Sequence, residues 1–436
     1  DFRNIFCKYL YKINHFMKRY LILLIFTILI FTKVDAAYIL IPMEDAQKNH
    51  LKAYGITYYV ISQGVTAEWL LNYRSGSFVF PYSSTFEKEC KIRNVSYEVI
   101  ANVQYNKIVT DISHPEKNQE VVKLEKAPKI AVYSPKTKQP WDDAVTLVLT
   151  YAEIPYDVIY DDEILQDKLH LYDWLHLHHE DFTGQMGKFW FGYRHKKWYQ
   201  EERRENKEIA QRWGYSKISE LKLAIAKKIR DYVVGGGYLF AMCAAADTYD
   251  IALAADGVDI CTKEFDGDPI DPNAEKKLNF NNTFAFKDFS LERNPIVYEF
   301  SSIDATNNHK KLTEEKDYFT LFNFSAKWDV VPTMLCQNHS QIIKGFFGQT
   351  TSFNEKYIKS NVLIMGESKM LKSAKYIHGE FGKGMWTFYG GHDPEDYQHF
   401  VGEPPTDLNL FPNSTGYRLI LNNVLFPAAK KKKRKT

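Results

Sequence analysis

The chain has 436 residues, of which 45% are hydrophobic, 25% charged and 15% aromatic. That length holds two or three domains, and the composition excludes a wholly disordered chain, a collagen-like repeat and a polytopic membrane protein. The net charge of +2 hides a split: six Lys/Arg and two Asp/Glu in residues 1–36, and six Lys/Arg in 430–435, leave 44 basic and 52 acidic residues in 37–429. An acidic body argues against nucleic acid as a partner.

Met17-Lys18-Arg19 precede an apolar run from Leu21 to Phe31, broken only by Thr27, and Val34-Asp35-Ala36 offers a small-x-small cut before Ala37. Residues 17–36 therefore read as a signal peptide. As a helix the run reaches only about 16 Å, roughly half a bilayer core, so it is too short for an anchor. The expected product begins at Ala37, is exported to the periplasm or the extracellular space, and is not an integral membrane protein. Beyond residue 36 the cysteines are Cys90, Cys243, Cys261 and Cys336. Export permits two disulfides among them; no C-x-x-C spacing marks a zinc ribbon or a thioredoxin-type motif. The tail 428–436 is basic and reads as a solubilising end.

Residues 37–126 read as a small N-terminal α/β segment. Ala37–Ile41 is a strand closed by Pro42, Tyr54–Ser62 is β-rich, Ala67–Tyr73 is helical, Ser77–Phe80 is a strand stopped by Pro81, and Tyr97–Val103 continues the pattern. Asn118–Lys126 is charged and reads as a linker. Residues 128–427 form the second unit. Ile130–Tyr133, Tyr156–Tyr160, Tyr172–Leu177 and Tyr238–Met242 are short apolar runs that read as buried, neighbouring strands. Helices are expected over Trp141–Glu153, from Ser216 to the Gly235-Gly236-Gly237 stop, over Ala244–Ala255 and over Tyr417–Leu425. Val362–Met365 is a strand, and Tyr376–Glu380 with Met385–Tyr389 is a hairpin around Phe381-Gly382-Lys383-Gly384. Alternating strands and helices with short links predict a mostly parallel, flavodoxin-like sheet flanked by helices. Two insertions interrupt it: Gly187–Trp213, rich in aromatic and basic residues, and a stretch over 264–330 that opens on Asp266, Asp268, Asp271 and Glu275. This acidic loop lacks the twelve-residue calcium pattern and reads as a turn stiffened by proline.

In open parallel sheets, ligands sit beyond the carboxyl ends of the strands. Three polar sets fall there: His176-Leu177-His178-His179-Glu180-Asp181, Cys243 at a strand-to-helix turn, and His392-Asp393-Pro394-Glu395 after the hairpin. A thiol at such a turn lies near a helix amino end, an imidazole can take its proton, and a carboxylate can orient the ring. Cys243, His392 and Glu395 supply these three roles. His176, His178, His179, Glu180 and Asp393 are the candidate ligand-binding residues. The histidine run offers nitrogen donors, but adjacent histidines in a polar loop read first as hydrogen-bonded groups, so no metal and no cofactor is assigned. No phosphate-binding loop, dinucleotide fingerprint or Gly-x-Ser-x-Gly elbow is present.

Gly235-Gly236-Gly237-Tyr238-Leu239-Phe240-Ala241-Met242-Cys243, followed by a late hairpin and Gly391-His392-Asp393-Pro394-Glu395, resembles the class I glutamine amidotransferase-like superfamily, including its trehalose-utilisation (ThuA-like) branch. The resemblance implies a flavodoxin-like fold, an elbow cysteine and a late histidine with a nearby glutamate. In the glutaminases a glycine stands two residues on either side of the cysteine, where this chain has Ala241 and Ala245, and the spacing is His-x-Glu rather than His392-x-x-Glu395. The whole chain also resembles exported bacterial proteins labelled asparagine synthetase B. Lys18, not Cys, follows Met17, and no Ser-Gly-Gly-x-Asp-Ser loop exists, so the residues do not support that activity. The first expectation is an exported amidotransferase-like protein that binds a small polar or carbohydrate ligand without glutaminase or synthetase turnover. A cysteine hydrolase acting on a C–N bond, and an interaction protein of the cell envelope, stand as alternatives.

Overall fold

The computed structural model describes residues 37–137 and 139–429. The segment 17–36, expected to be a signal peptide, and the lysine-rich tail from 430 lie outside the described residues.

Strands β1 (Ala37–Ile41), β2 (Ala67–Leu71), β3 (Ser77–Pro81), β4 (Glu98–Ala101) and β5 (Glu120–Leu124) form a five-stranded sheet in the order β4-β1-β3-β2-β5. Every pairing in it is antiparallel. Three local expectations are corrected. The β-rich stretch 54–62 lies in helix α1 (His50–Ser62), which starts where the Asn49 side chain accepts from the Lys52 amide. Its β-branched and aromatic residues suit a strand by propensity, but the helix is buried on nearly every side, and packing overrides propensity. The stretch 67–73, expected to be helical, is mainly strand β2. There Ala67, Trp69 and Leu71 join the main core, while Leu70 packs on the opposite face. The expected linker 118–126 contains β5, in which exposed Lys123 stands between buried Val122 and Leu124. Helices α2 (Ser84–Ile92) and α3 (Asn102–Ser113) complete this part. Tyr105, Ile108 and Ile112 of α3 cover Leu40, Leu70 and Val79.

The second sheet contains β6 (Ile130–Tyr133), β7 (Asp157–Ile159), β8 (Trp174–Leu177), β9 (Tyr238–Met242), β10 (Tyr318–Leu321), β11 (Ile342–Lys344), β12 (Phe353–Asn354), β13 (Leu363–Ser368), β14 (Ser373–Phe381) and β15 (Gly384–Tyr389). Its order is β11-β10-β13-β14-β15-β9-β8-β6-β7, with β12 beside β14. The four runs expected to be neighbouring strands are neighbours and parallel, and β15 joins them in parallel with β9. The sheet as a whole is mixed rather than mostly parallel. The Gly382 turn (φ 64°) folds β14 back on β15, and each strand beyond it adds in antiparallel fashion.

Helices α4 (Ala144–Ala152), α5 (Lys197–Arg212), α6 (Ile218–Gly235), α7 (Ala244–Ala254) and α8 (Thr415–Leu425) flank this sheet. Helices α1, α4 and α8 pack together in a layer between the two sheets. One core therefore runs from Ile39 and Trp69 through Val148 and Leu421 to Val132 and Phe240. Helices α6 and α7 cover the other face, against Leu175, Leu239 and Phe388. The insertion 187–213 is helical in α5, and it meets the body through Met186, Phe189, Tyr199 and Ile218. The acidic loop is tied by a lysine: Lys217 Nζ lies 2.6 Å from Asp259, 3.1 Å from Asp266 and 2.6 Å from Asp268. Cys90, Cys243, Cys261 and Cys336 are all free thiols, so the two-disulfide option is not realised. Among the described residues no helix is long and apolar enough to cross a membrane.

Candidate active site

Strand β9 ends at Met242, helix α7 begins at Ala244, and Cys243 makes the turn between them with φ 51° and ψ −141°. An L-residue adopts this conformation only when its surroundings impose it. The surroundings do so through the backbone. The Cys243 N–H donates to the Gly391 carbonyl at 3.2 Å, and the Gln349 N–H donates to the Cys243 Sγ at 3.2 Å. The loop carrying Gln349 is pinned on α7 by Thr350, whose hydroxyl donates to buried Asp247 at 2.9 Å. Gly348 and Gly391 allow this approach. A Cβ on Gly348 would come within 2.8 Å of the Gly391 backbone, and Gly391 itself has φ 94°. The sulfur thus sits above the sheet edge, with Cys243 only 3% exposed.

His392 follows β15 directly, its N–H donating to the Phe347 carbonyl at 2.8 Å. Its ring interacts with the Cys243 thiol and faces Asp142, whose Oδ1 lies 3.7 Å from Nε2. The His399 ring stacks on it at 4.1 Å. His399 Nε2 is 3.4 Å from the same Asp142 oxygen, while Nδ1 is held by Glu403 at 2.7 Å and Asp396 at 2.9 Å. Burial opposes a charged ring at His392, yet the Asp142 and Cys243 partners push its pKa up to about 10. Burial likewise would raise the thiol, but the His392 bond and charge, with the amides of Gln349 and Ala244, outweigh it and hold Cys243 below its ordinary value. Both shifts favour a thiolate beside an imidazolium.

The histidine run stands against this pair. Asp143 works in two directions: its Oδ1 accepts from the Thr146 amide and caps α4, while its Oδ2 lies 3.2 Å from both His176 Nε2 and His178 Nδ1. Those two rings meet on one side of the β8 edge, as a two-residue period requires. Burial would raise the Asp143 pKa, but its histidine neighbours hold it well below the carboxylate range. The His178 ring is 4.5 Å from that of His392 and 4.6 Å from that of His179. Burial dominates at both residues, pulling His178 down to about 4 and His179 well below its usual value, so both are neutral.

Of the residues singled out from sequence, Cys243, His392, His178 and His179 converge. His176 is their anchor, its Nδ1 3.3 Å from the Phe240 carbonyl. Glu180 lies one step further out, in a cavity lined by Trp141, Tyr160, His179, Glu202 and Lys222. Glu395 and Asp393 do not belong to the constellation as assigned. The Asp393 carboxylate accepts from the Glu395 amide at 2.9 Å and from Thr406 at 2.7 Å, which closes a tight turn. Glu395 interacts with Ser414, the cap of α8. Asp142 takes the orienting position instead. Asp142, Asp143, His399 and Gln349 were not singled out from the sequence. The first two follow β6 and precede α4, so the strand-end rule applied to β6 would have found them.

No family model matches the chain, and no curated protein matches it. Among solved structures it is similar to the cytoplasmic protein STM3548 from Salmonella typhimurium, at 10% identity and TM-score 0.34 over 70% of this chain and 100% of that one. The cytoplasmic protein STM1381 from Salmonella typhimurium LT2 matches at 11% identity and TM-score 0.34, over 69% and 100%. A beta-galactosidase from Bacillus circulans sp. alkalophilus matches at 11% identity and TM-score 0.27, over 62% of this chain and 29% of that one.

Proposed function

We propose that this protein is a cysteine-dependent hydrolase or transferase of the class I glutamine amidotransferase-like kind, acting on a C–N bond of a small polar substrate. The observation that carries the reading is the Cys243–His392–Asp142 array at a strained strand-to-helix turn. The Cys243 thiolate attacks the electrophilic carbon and forms a C–S bond. His392 gives its proton to the departing nitrogen as the C–N bond breaks. Water, activated by the now neutral ring, then cleaves the thioester and restores both groups. The Gln349 and Ala244 amides, which converge on the sulfur, lie where donors can meet the oxyanion on the attacked carbon. Ala241 and Ala245 in place of the flanking glycines support a substrate other than glutamine. The signal-like segment before Ala37 supports action outside the cytoplasm.

Trapping of the acyl intermediate tests the proposal. Incubation with a small activated ester followed by peptide mass spectrometry should place one acyl group on Cys243, and His392→Ala should abolish it. Acylation spread over lysines, or unchanged in His392→Ala, would leave the site as a ligand-binding pocket without turnover.

A further inference from the structure

The three histidines beside the sulfur have an arrangement that thiolate chemistry does not require. One ring nitrogen from each of His178, His179 and His392 lies within 4.8 Å of the other two. His178 is 1% exposed and His392 5% exposed. His178 Nδ1 and Nε2, His179 Nδ1 and His392 Nε2 are buried and have no hydrogen-bond partner. Buried polar nitrogens are normally satisfied, and unpartnered ones on three clustered rings call for an occupant. The surrounding groups suit an ion. Asp143 Oδ2 lies 3.2 Å from His178 Nδ1, placing a carboxylate behind the imidazole as in many metal sites. A second carboxylate, Asp142, lies 3.7 Å from His392 Nε2.

We propose that His178, His179 and His392 bind one divalent transition-metal ion of the zinc type. Three imidazoles without a direct carboxylate favour zinc, cobalt or nickel over calcium or magnesium. A tetrahedral ion on three rings keeps a fourth position for water or another donor. The two overlapping clusters are poorer hosts. In the Asp143–His176–His178 set, His176 Nδ1 faces the Phe240 carbonyl and Asp143 already caps a helix. In the Asp142–His392–His399 set, His399 Nδ1 is taken by Glu403 and Asp396.

Cobalt titration of chelator-treated full chain provides the test. The expected result is one equivalent bound with Kd at or below about 10 µM and visible ligand-field bands of a four-coordinate nitrogen site. His178→Gln and His179→Gln should each lose those bands while melting like the parent chain; His399→Ala and Cys243→Ser should keep them. Absence of a bound equivalent, or bands that persist in both glutamine variants, overturns the site.

Discussion

Two clusters of buried charge sit at the carboxyl ends of the parallel strands, and they are built on opposite plans. Around Lys222, Nζ lies 3.0 Å from the hydroxyls of Tyr133 and Tyr160, and 3.1 and 3.0 Å from the two oxygens of Asp161. The Tyr133 hydroxyl also donates to Asp161. Each member answers another, and the network closes on itself. Around Cys243 the groups are as deeply buried, but His178 Nε2 and His179 Nδ1 remain unanswered and the Cys243 backbone is strained. A closed network holds a structure together. An open one, held in place by its neighbours, keeps valences for something that arrives from outside.

The comparison yields predictions of decreasing size. Cys243→Ala should abolish both acyl trapping and fast alkylation, while unfolding free energy in urea moves by less than about 1.5 kcal/mol. Lys222→Met should do the reverse. It leaves Asp161 buried without its cation and should cost about 3–5 kcal/mol in urea unfolding. Alkylation of the still-folded variant should keep its parent rate, and a stability loss under about 1 kcal/mol would remove the contrast between the clusters. Asp142→Asn should slow alkylation at pH 6 about 10- to 100-fold, because the ring loses the carboxylate that keeps it charged. Glu202, at the edge of the cavity beyond His179, is pushed up to about 7 by burial, against the pull of Lys222. Its contribution to stability is full below the unfolded glutamate pKa and is lost as pH rises through about 7. Glu202→Gln should therefore stabilise the fold by about 1–2 kcal/mol at pH 8 and by nothing measurable at pH 4, read from thermal melts at both values. Glu395→Gln should change alkylation less than about 2-fold, since its carboxylate is engaged at Ser414.

The sequence carried the parallel half of the large sheet more clearly than anything else. Apolar runs such as Ile130–Tyr133 and Tyr238–Met242 are buried from both faces, and short turns bound them. Elements between the two sheets were harder to read. Helix α1 is enclosed on most sides, so its apolar pattern has no single stripe, and its tyrosines and isoleucines mimic a strand. The site shows the same division. Cys243 and His392 declare themselves by standing at strand ends. Asp142 and Asp143 lie beyond an irregular loop, and Glu395 satisfies a spacing argument that the Asp393 turn defeats. His399 reaches the site through a turn whose course depends on tertiary packing.

The central claim is that Cys243 is held below the ordinary thiol pKa because His392 is charged beside it. The most direct measurement is the rate of Cys243 alkylation by iodoacetamide from pH 4 to 9, in the parent chain and in His392→Ala. The account predicts a parent profile that rises below the ordinary thiol pKa of about 8.5, and a variant profile displaced above that value by burial. A parent profile that rises only near or above pH 8.5, and that His392→Ala leaves in place, would contradict it.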